Sequence, residues 1–472
     1  MPVDELIGRL PLLSYLLAGT AKGAIGYLVI QAVYNLYFHP LAKYPGPRLA
    51  AISPLWWIYA WLSGRYPKII RKAHEKYGNA IRIAPNELSF NTVQAHREIY
   101  SNPSKNKKPY RMSTSFYNNG DSSKVLFYEQ DINKHAWQRK LLSNGFNATA
   151  MRHQEHAIHR YVDMFMTFGQ SFGAVESGKG HFWVSLLRDS AYAAALPALI
   201  DKLPFLGFIL PYVVTKSAIE KRTQHYAYTR DAVKKRVQLQ KEHPEKASSD
   251  ILGAVIEDGS MDEVALISLT NQIVIAGADT VSHALTGAIY YLCTNPSCLA
   301  RLQDEVRGCG SYQELTGSQL GSLKYLNAVL EEAMRVYPPI AFGLPRVSPG
   351  DVVDGHFVPA GTEVSVPHWA MMHNEEEWQD ADSYRPERWL EGDKSQQPRN
   401  LAFSTGYRTC LGISQAWLEM RITLAKLVYT YDIELARDHG EWFDNVKMYM
   451  LWSEEPLMIK FTPRRDTYVQ RA

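Results

Sequence analysis

Cys410 lies in the stretch FSTGYRTCLG, Phe403 to Gly412, between Gly406 and Gly412 and two residues after Arg408. Flanking glycines let a backbone fold tightly round a sulfur and approach a flat ligand closely. Backbone N–H groups turned toward a thiolate would keep it deprotonated, and the Arg408 guanidinium would pair with an acidic group on the same ligand. Zinc would want three or four ligands close by, and this stretch holds no second Cys or His. A single thiolate ahead of an apolar helix (Ile413, Ala416, Trp417) suits an axial ligand of haem iron better.

A second constellation is IVIAGADTVSHAL, Ile273 to Leu285, a buried helix with a polar notch. Ala276 and Thr280 are four apart and share a face, and Gly277 removes bulk beside them. A small-residue gap opposite a haem leaves room for dioxygen, with Asp279 and Thr280 placed to relay protons. Standing alone, such a segment is more often helix packing than catalysis. Third, Glu332 and Arg335 are three apart on one helix face, which Tyr337-Pro338-Pro339 ends at once. An isolated pair of this kind is usually solvated and contributes ~0.5 kcal/mol or less. PERW, Pro386 to Trp389, follows downstream.

The elements that must position these groups belong to a globular chain. Of 472 residues, 46% are hydrophobic and 21% charged, enough for a large core, and the net charge of +3 with no Lys/Arg-rich run argues against nucleic acid as partner. Four cysteines (Cys293, Cys298, Cys309, Cys410) are too few for a disulfide framework and point to a reducing compartment. No tandem repeat or low-complexity tract is visible. Length alone would allow two or three domains.

At the N-terminus, residues 23–42 carry no Asp, Glu, Lys or Arg, about the ~20 needed to span a bilayer. Lys43 and Arg48 follow, which puts the bulk of the chain on the cytoplasmic side. A cleaved signal peptide is the rival reading; the segment lacks a basic start. Lys22 also leaves room for an interfacial placement. Prolines 40, 45 and 47 make a stiff joint after it. Ile81 to Phe90 reads as alternating strand residues, as do Phe357 to Thr362 and Val364 to Val366. Residues 102–131 form a polar loop carrying Phe116 and Phe127, and His135 opens a helix with Arg139 one turn on. Residues 150–260 are helix-rich without a legible motif. Within them Leu203 to Val214 is apolar but broken by Pro204, Gly207 and Pro211.

In this order the motifs resemble the haem-thiolate monooxygenases, the cytochrome P450 family. Phe403, Gly406, Arg408, Cys410 and Gly412 fit F-x-x-G-x-R-x-C-x-G, and AGADT fits A/G-G-x-D/E-T. The KYG…IRIAPNELSF stretch is similar to fungal members. The resemblance implies a mainly α fold with a minor β portion (α+β), one catalytic domain over residues 43–472 behind an anchor over 1–42. It implies haem b (iron protoporphyrin IX) with Cys410 as axial ligand. Arg139, Arg346, Arg408 and His135 would hold the propionates; His135 stands where the family usually has Trp, and an imidazole can still donate to a carboxylate. Glu332, Arg335 and Arg388 would form a buried network bracing the cysteine loop. By the same resemblance Leu203 to Val214 lies where such enzymes dip a loop into the membrane.

The expected reaction is insertion of one oxygen atom from O2 into a hydrophobic small molecule. The candidate pocket residues are Phe116, Phe127, Ile273, Ala276, Gly277, Phe342, Leu344, Met448 and Met450. No nicotinamide or flavin fingerprint is present, so electrons should come from a separate NADPH-dependent flavin reductase, with cytochrome b5 as a further donor. The expected location is the endoplasmic reticulum membrane, catalytic domain toward the cytoplasm. Fungal resemblance points to a terpenoid, polyketide or alkaloid intermediate, and no residue chooses among them. Two other readings stay open: a haem-thiolate isomerase or dehydratase needing no reductase, and a haem-containing binding or sensing protein. A simple electron-transfer cytochrome would lead one to expect C-x-x-C-H, which is absent.

Overall fold

The structure is a computed structural model, and the residues it describes are 22–103, 107–117, 124–168, 196–203, 207–208, 216–243, 251–392, 400–437 and 442–464. Most of these residues are helical. Four helices set the site: α1, Ile132–Ser143; α2, Glu263–Thr294; α3, Lys324–Val336; and α4, Ile413–Thr430. Helix α2 starts where the Asp262 carboxylate accepts from the Ala265 N–H at 2.7 Å, an N-cap that satisfies a donor the helix cannot. It then packs against both α3 and α4. Helix α3 is buried along nearly its whole length and stops at Tyr337, because Pro338 and Pro339 supply no N–H to continue it.

The β portion is one five-stranded sheet and three two-stranded ribbons among the described residues. The sheet runs in the order β1 (Ala80–Ala84), β2 (Glu87–Phe90), β5 (Glu363–Ser365), β4 (Arg346–Val347), β3 (Arg111–Met112). All its pairings are antiparallel except β2 with β5, where Leu88 lies opposite Val364. The alternating pattern from Ile81 to Phe90 predicts one wet face, yet every residue of β1 and β2 is buried. The charge at Arg82 is accommodated by carbonyls: its Nη1 donates to Asn35 O at 2.6 Å and its Nη2 to Pro85 O at 2.6 Å. That arginine therefore ties the end of the helix over residues 22–37 to the sheet. The predicted strands near Phe357 and Val364 are present as His356–Val358, paired with Asp351–Val353, and as β5. Two further strands, β6 (Lys447–Tyr449) and β7 (Leu451–Ser453), form an antiparallel ribbon.

The helix over residues 22–37 presents a wet apolar surface, with Ile25, Tyr27, Leu28, Ile30, Tyr37 and Phe38 each between 62% and 72% exposed. Helix α2 is the one described helix long and apolar enough to cross a membrane by length and composition. Its Leu266, Leu269, Ala284, Ala288 and Leu292 are buried against neighbouring helices, so it is a core helix here. Residues 1–21 and most of the apolar run Leu203 to Val214 lie outside the described residues; Phe208, within that run, is 82% exposed.

Candidate active site

The loop carrying Cys410 is closed by its own backbone. The Cys410 N–H donates to Phe403 O at 2.9 Å, the Ser404 N–H to Leu401 O at 2.8 Å, and the Thr409 N–H to Gly406 O at 3.0 Å. Such a turn needs two left-handed residues, Ser404 at φ 58° and Gly406 at φ 72°. At Gly406 a Cβ would come within 2.4 Å of Tyr100 O, so both backbone conformation and packing demand glycine. Gly412 is different: its φ of −86° suits any residue, and a Cβ would meet only Phe146 at 3.7 Å. The tight fold expected of both glycines is thus imposed at Gly406 alone.

Cys410 itself is exposed at the mouth of this loop. Desolvation nevertheless pushes the thiol up, while a backbone hydrogen bond from Gly412 and the nearby Arg139 guanidinium pull it down. Arg139 comes from α1, on which it lies one turn after buried His135, and its Nη1 donates to Thr409 O at 2.6 Å. Helix α1 begins three residues before His135.

Arg346 and Arg408 join this group. Arg346, buried on β4, donates from Nη1 to the Tyr117 hydroxyl at 2.9 Å and lies over the Tyr100 ring at 5.1 Å. Arg408 donates to Glu129 O at 2.6 Å, and its Nε is buried with no hydrogen-bond partner. Burial and then Arg408, Arg139 and Arg346 hold His135 down at about 4, so it is neutral at physiological pH. Burial first, with the Arg346 charge adding to it, brings Arg408 down to about 10. The hydrogen bonds found for the three guanidiniums go to carbonyls and a hydroxyl, not to carboxylates. Like charges gathered in a partly dry place call for an anion. A haem fits: its propionates would meet three guanidiniums and a neutral imidazole able to donate.

The notch on α2 fits the same ligand. Ala276, Gly277 and Ala278 are three consecutive exposed residues in the middle of α2, flanked on both sides by half-buried ones, and a Cβ at Gly277 would meet nothing within 4 Å. Thr280 donates its hydroxyl to Ala276 O at 2.6 Å, one turn back across the notch. Ile273 and Leu411, the residue after Cys410, pack against one apolar cluster with Leu142 of α1, which draws the three segments together.

Glu332, Arg335 and Arg388 meet in one network. Glu332 receives both Nε and Nη2 of Arg335 at 2.9 Å, Nε of Arg388 at 3.0 Å and the Trp389 indole at 2.8 Å. Arg335 uses its remaining donor on Met372 O and Ala381 O. Asn400 donates to Glu331 O and accepts from the Ala402 N–H, which links α3 to the strand of chain entering the cysteine loop.

Of the pocket residues expected from sequence, Phe116 and Phe342 meet in an aromatic group with Trp61, centroids 5.1–6.3 Å apart. Ile273, Leu344 and Met450 are half-buried, Phe127 is exposed beside Tyr117, and Met448 is fully buried. Phe403 packs near Trp417 of α4. Sequence reasoning did not single out Tyr117 as the partner of Arg346, nor Thr409 as that of Arg139; a backbone carbonyl leaves no trace in residue type. It also missed Lys202, half-buried between Glu87 at 2.6 Å and Glu363 at 3.0 Å, which pins the helix Leu196–Lys202 to the sheet.

Comparison with known proteins shows the family. The family described as cytochrome P450 matches residues 165–461. The chain belongs to the cytochrome P450 family. It is 38% identical to the cytochrome P450 monooxygenase poxC of Penicillium oxalicum, over 92% of each chain. It is 33% identical to the cytochrome P450 monooxygenase BOA3 of Botryotinia fuckeliana, over 93% of this chain and 94% of the relative. A third relative, the cytochrome P450 monooxygenase cpaH of Aspergillus oryzae, is 31% identical over 93% and 92%. This P450 is accordingly a haem-dependent monooxygenase of the mainly helical α+β kind.

Proposed function

We propose that this P450 inserts one oxygen atom from O2 into a C–H or C=C bond of a hydrophobic biosynthetic intermediate, a terpenoid, polyketide or alkaloid, while the second oxygen leaves as water. The observation that carries the reading is the gathering of Arg139, Arg346 and Arg408 round the Cys410 loop with carbonyl and hydroxyl partners instead of carboxylates. In the bound haem, a thiolate ligand favours O–O cleavage.

The chain's own part is to hold and to supply protons. The Cys410 sulfur would take the iron, with the Gly412 N–H and Arg139 stabilising its charge. Arg139, Arg346, Arg408 and neutral His135 would hold the propionates. Asp279 and Thr280 would pass protons along the notch, where the small residues Ala276 and Gly277 leave room for dioxygen. The Glu332, Arg335 and Arg388 network would keep the loop rigid rather than act in the chemistry. The half-buried apolar groups Ile273, Leu344 and Met450 suit a hydrophobic substrate.

Electrons would come from a separate NADPH-dependent flavin reductase, with cytochrome b5 as a further donor. Residues 1–42 would anchor the catalytic domain, 43–472, to the cytoplasmic face of the endoplasmic reticulum membrane. The exposed apolar side chains of residues 22–38 support this, together with Leu55, Tyr59 and Phe208.

The deciding experiment is the ferrous carbon-monoxide difference spectrum of the wild type and of Cys410→Ser. A strongly red-shifted Soret band that disappears in the variant is expected. Haem bound without that band in the wild type would overturn the ligand assignment.

A further inference from the structure

His283 is the side chain on helix α2 that this mechanism leaves unused, and its surroundings give it a task. Ala276, Thr280, His283 and Gly287 follow at steps of four, three and four and so share one face. That face meets the end of α3: a Cβ on Gly287 would lie 2.7 Å from the Tyr337 ring. His283 is buried there, with Nδ1 3.0 Å from the Glu454 carboxylate, 171 residues away in the chain. The second Glu454 oxygen accepts from the Tyr337 hydroxyl at 3.4 Å, and Tyr337 is held by stacking on Trp452, centroids 4.9 Å apart. The Glu454 side chain is only 8% exposed, yet its neighbours Ser453 and Glu455 are exposed. The pair therefore joins the end of β7 to α2 one turn beyond Asp279 and Thr280.

A carboxylate can only accept, so Nδ1 of His283 carries a hydrogen and Nε2 is left to take or give a mobile proton. Asp279 lies four residues before His283 and Thr280 three before, the two spacings at which helix side chains are neighbours. The titratable groups recorded against the pair among the described residues are Tyr337 at the end of α3, which meets Glu454, and beyond it Tyr291, two turns past His283 on α2; Asp279 lies one turn before His283 on the same helix.

We propose that His283, held by Glu454, is the proton donor to the Asp279–Thr280 pair. In the step the Nε2–H bond breaks, its electrons stay on nitrogen, and an O–H bond forms on the Asp279 carboxylate. The ring remains neutral with Nδ1–H on Glu454 and takes its next proton from water. The inference rests on the reading that Asp279 and Thr280 deliver protons.

The test uses the haem-loaded enzyme with NADPH and a flavin reductase, in the absence of substrate. Hydrogen peroxide formed per NADPH is measured for the wild type, Thr280→Ala, His283→Gln and Glu454→Gln, in H2O and D2O. Glutamine at 283 can keep a hydrogen bond to Glu454 but cannot carry a proton, so a purely structural histidine would be replaced without effect. We expect Thr280→Ala and His283→Gln each to raise the peroxide yield about twofold or more. We also expect His283→Gln to alter the solvent isotope effect on NADPH consumption. A second readout is independent of turnover: the C2-hydrogen exchange rate of His283, followed by mass spectrometry, should change severalfold in Glu454→Gln. If Thr280→Ala changes the yield and His283→Gln does not, the His283 donor is overturned and the Asp279–Thr280 reading stands. If Thr280→Ala itself changes nothing, both fall.

Discussion

Arg139 donates to the carbonyl of Thr409, the residue immediately before Cys410, at 2.6 Å. One side chain of α1 thus both shapes the cysteine loop and lends positive charge to its thiol. Arg139→Ala should leave a folded protein whose haem content after purification falls severalfold, read by pyridine haemochrome against protein mass. Arg139→Lys should recover part of it, since an ammonium supplies charge without the planar fork.

The two glycines of the loop should behave differently. Gly406→Ala forces a left-handed alanine against Tyr100 O, and should cost roughly 1–3 kcal/mol or more through strain alone. Its melting temperature should drop even without haem. Gly412→Ala has ordinary backbone and room, so the haem-free melting temperature should stay within a few degrees. A reduced haem occupancy with unchanged haem-free stability would show that Gly412 is kept for the ligand's approach.

Glu332 carries two arginines and an indole in a fully buried place. Glu332→Gln removes the charge that balances Arg335 and Arg388, and breaking such a buried network costs about 3–5 kcal/mol. The expected result is little soluble holoenzyme, and a melting temperature well below wild type in whatever survives. A variant that bound haem normally and melted with wild type would refute the bracing role.

Acid should weaken the fold. Burial holds His74 down at about 4, against a backbone hydrogen bond to Gly78 that pulls it up. His368 is also held at about 4 by burial. Between roughly pH 6.5 and 4 the unfolded chain binds protons that the folded one refuses, so stability is lost as pH falls through that window. Each such histidine contributes up to about 3 kcal/mol across it. The melting temperature should therefore fall between pH 7.5 and 5, and His74→Gln, which can still bond to Ser89 and Gly78, should flatten that slope.

The order of AGADT, EAMR, PERW and the cysteine loop was legible because each is a local pattern: a face of one helix, or one turn whose residues are adjacent in the chain. The same locality made helices α1 to α4 and the Pro-stopped end of α3 readable. What residue types could not carry is which distant groups close the site. Arg346 finds Tyr117, 229 residues away, because β3 and β4 pair next to each other in the sheet. Both β1 and β2 are buried on two faces because layers from elsewhere cover them, so their alternation described the strands and not their surroundings. His283 belongs to no motif, and its partner Glu454 reaches it only when the ribbon of β6 and β7 packs against α2. Spacing along a helix decides which side chains share a face; what that face meets is decided by packing between elements far apart in the chain, and only the tertiary structure holds that information.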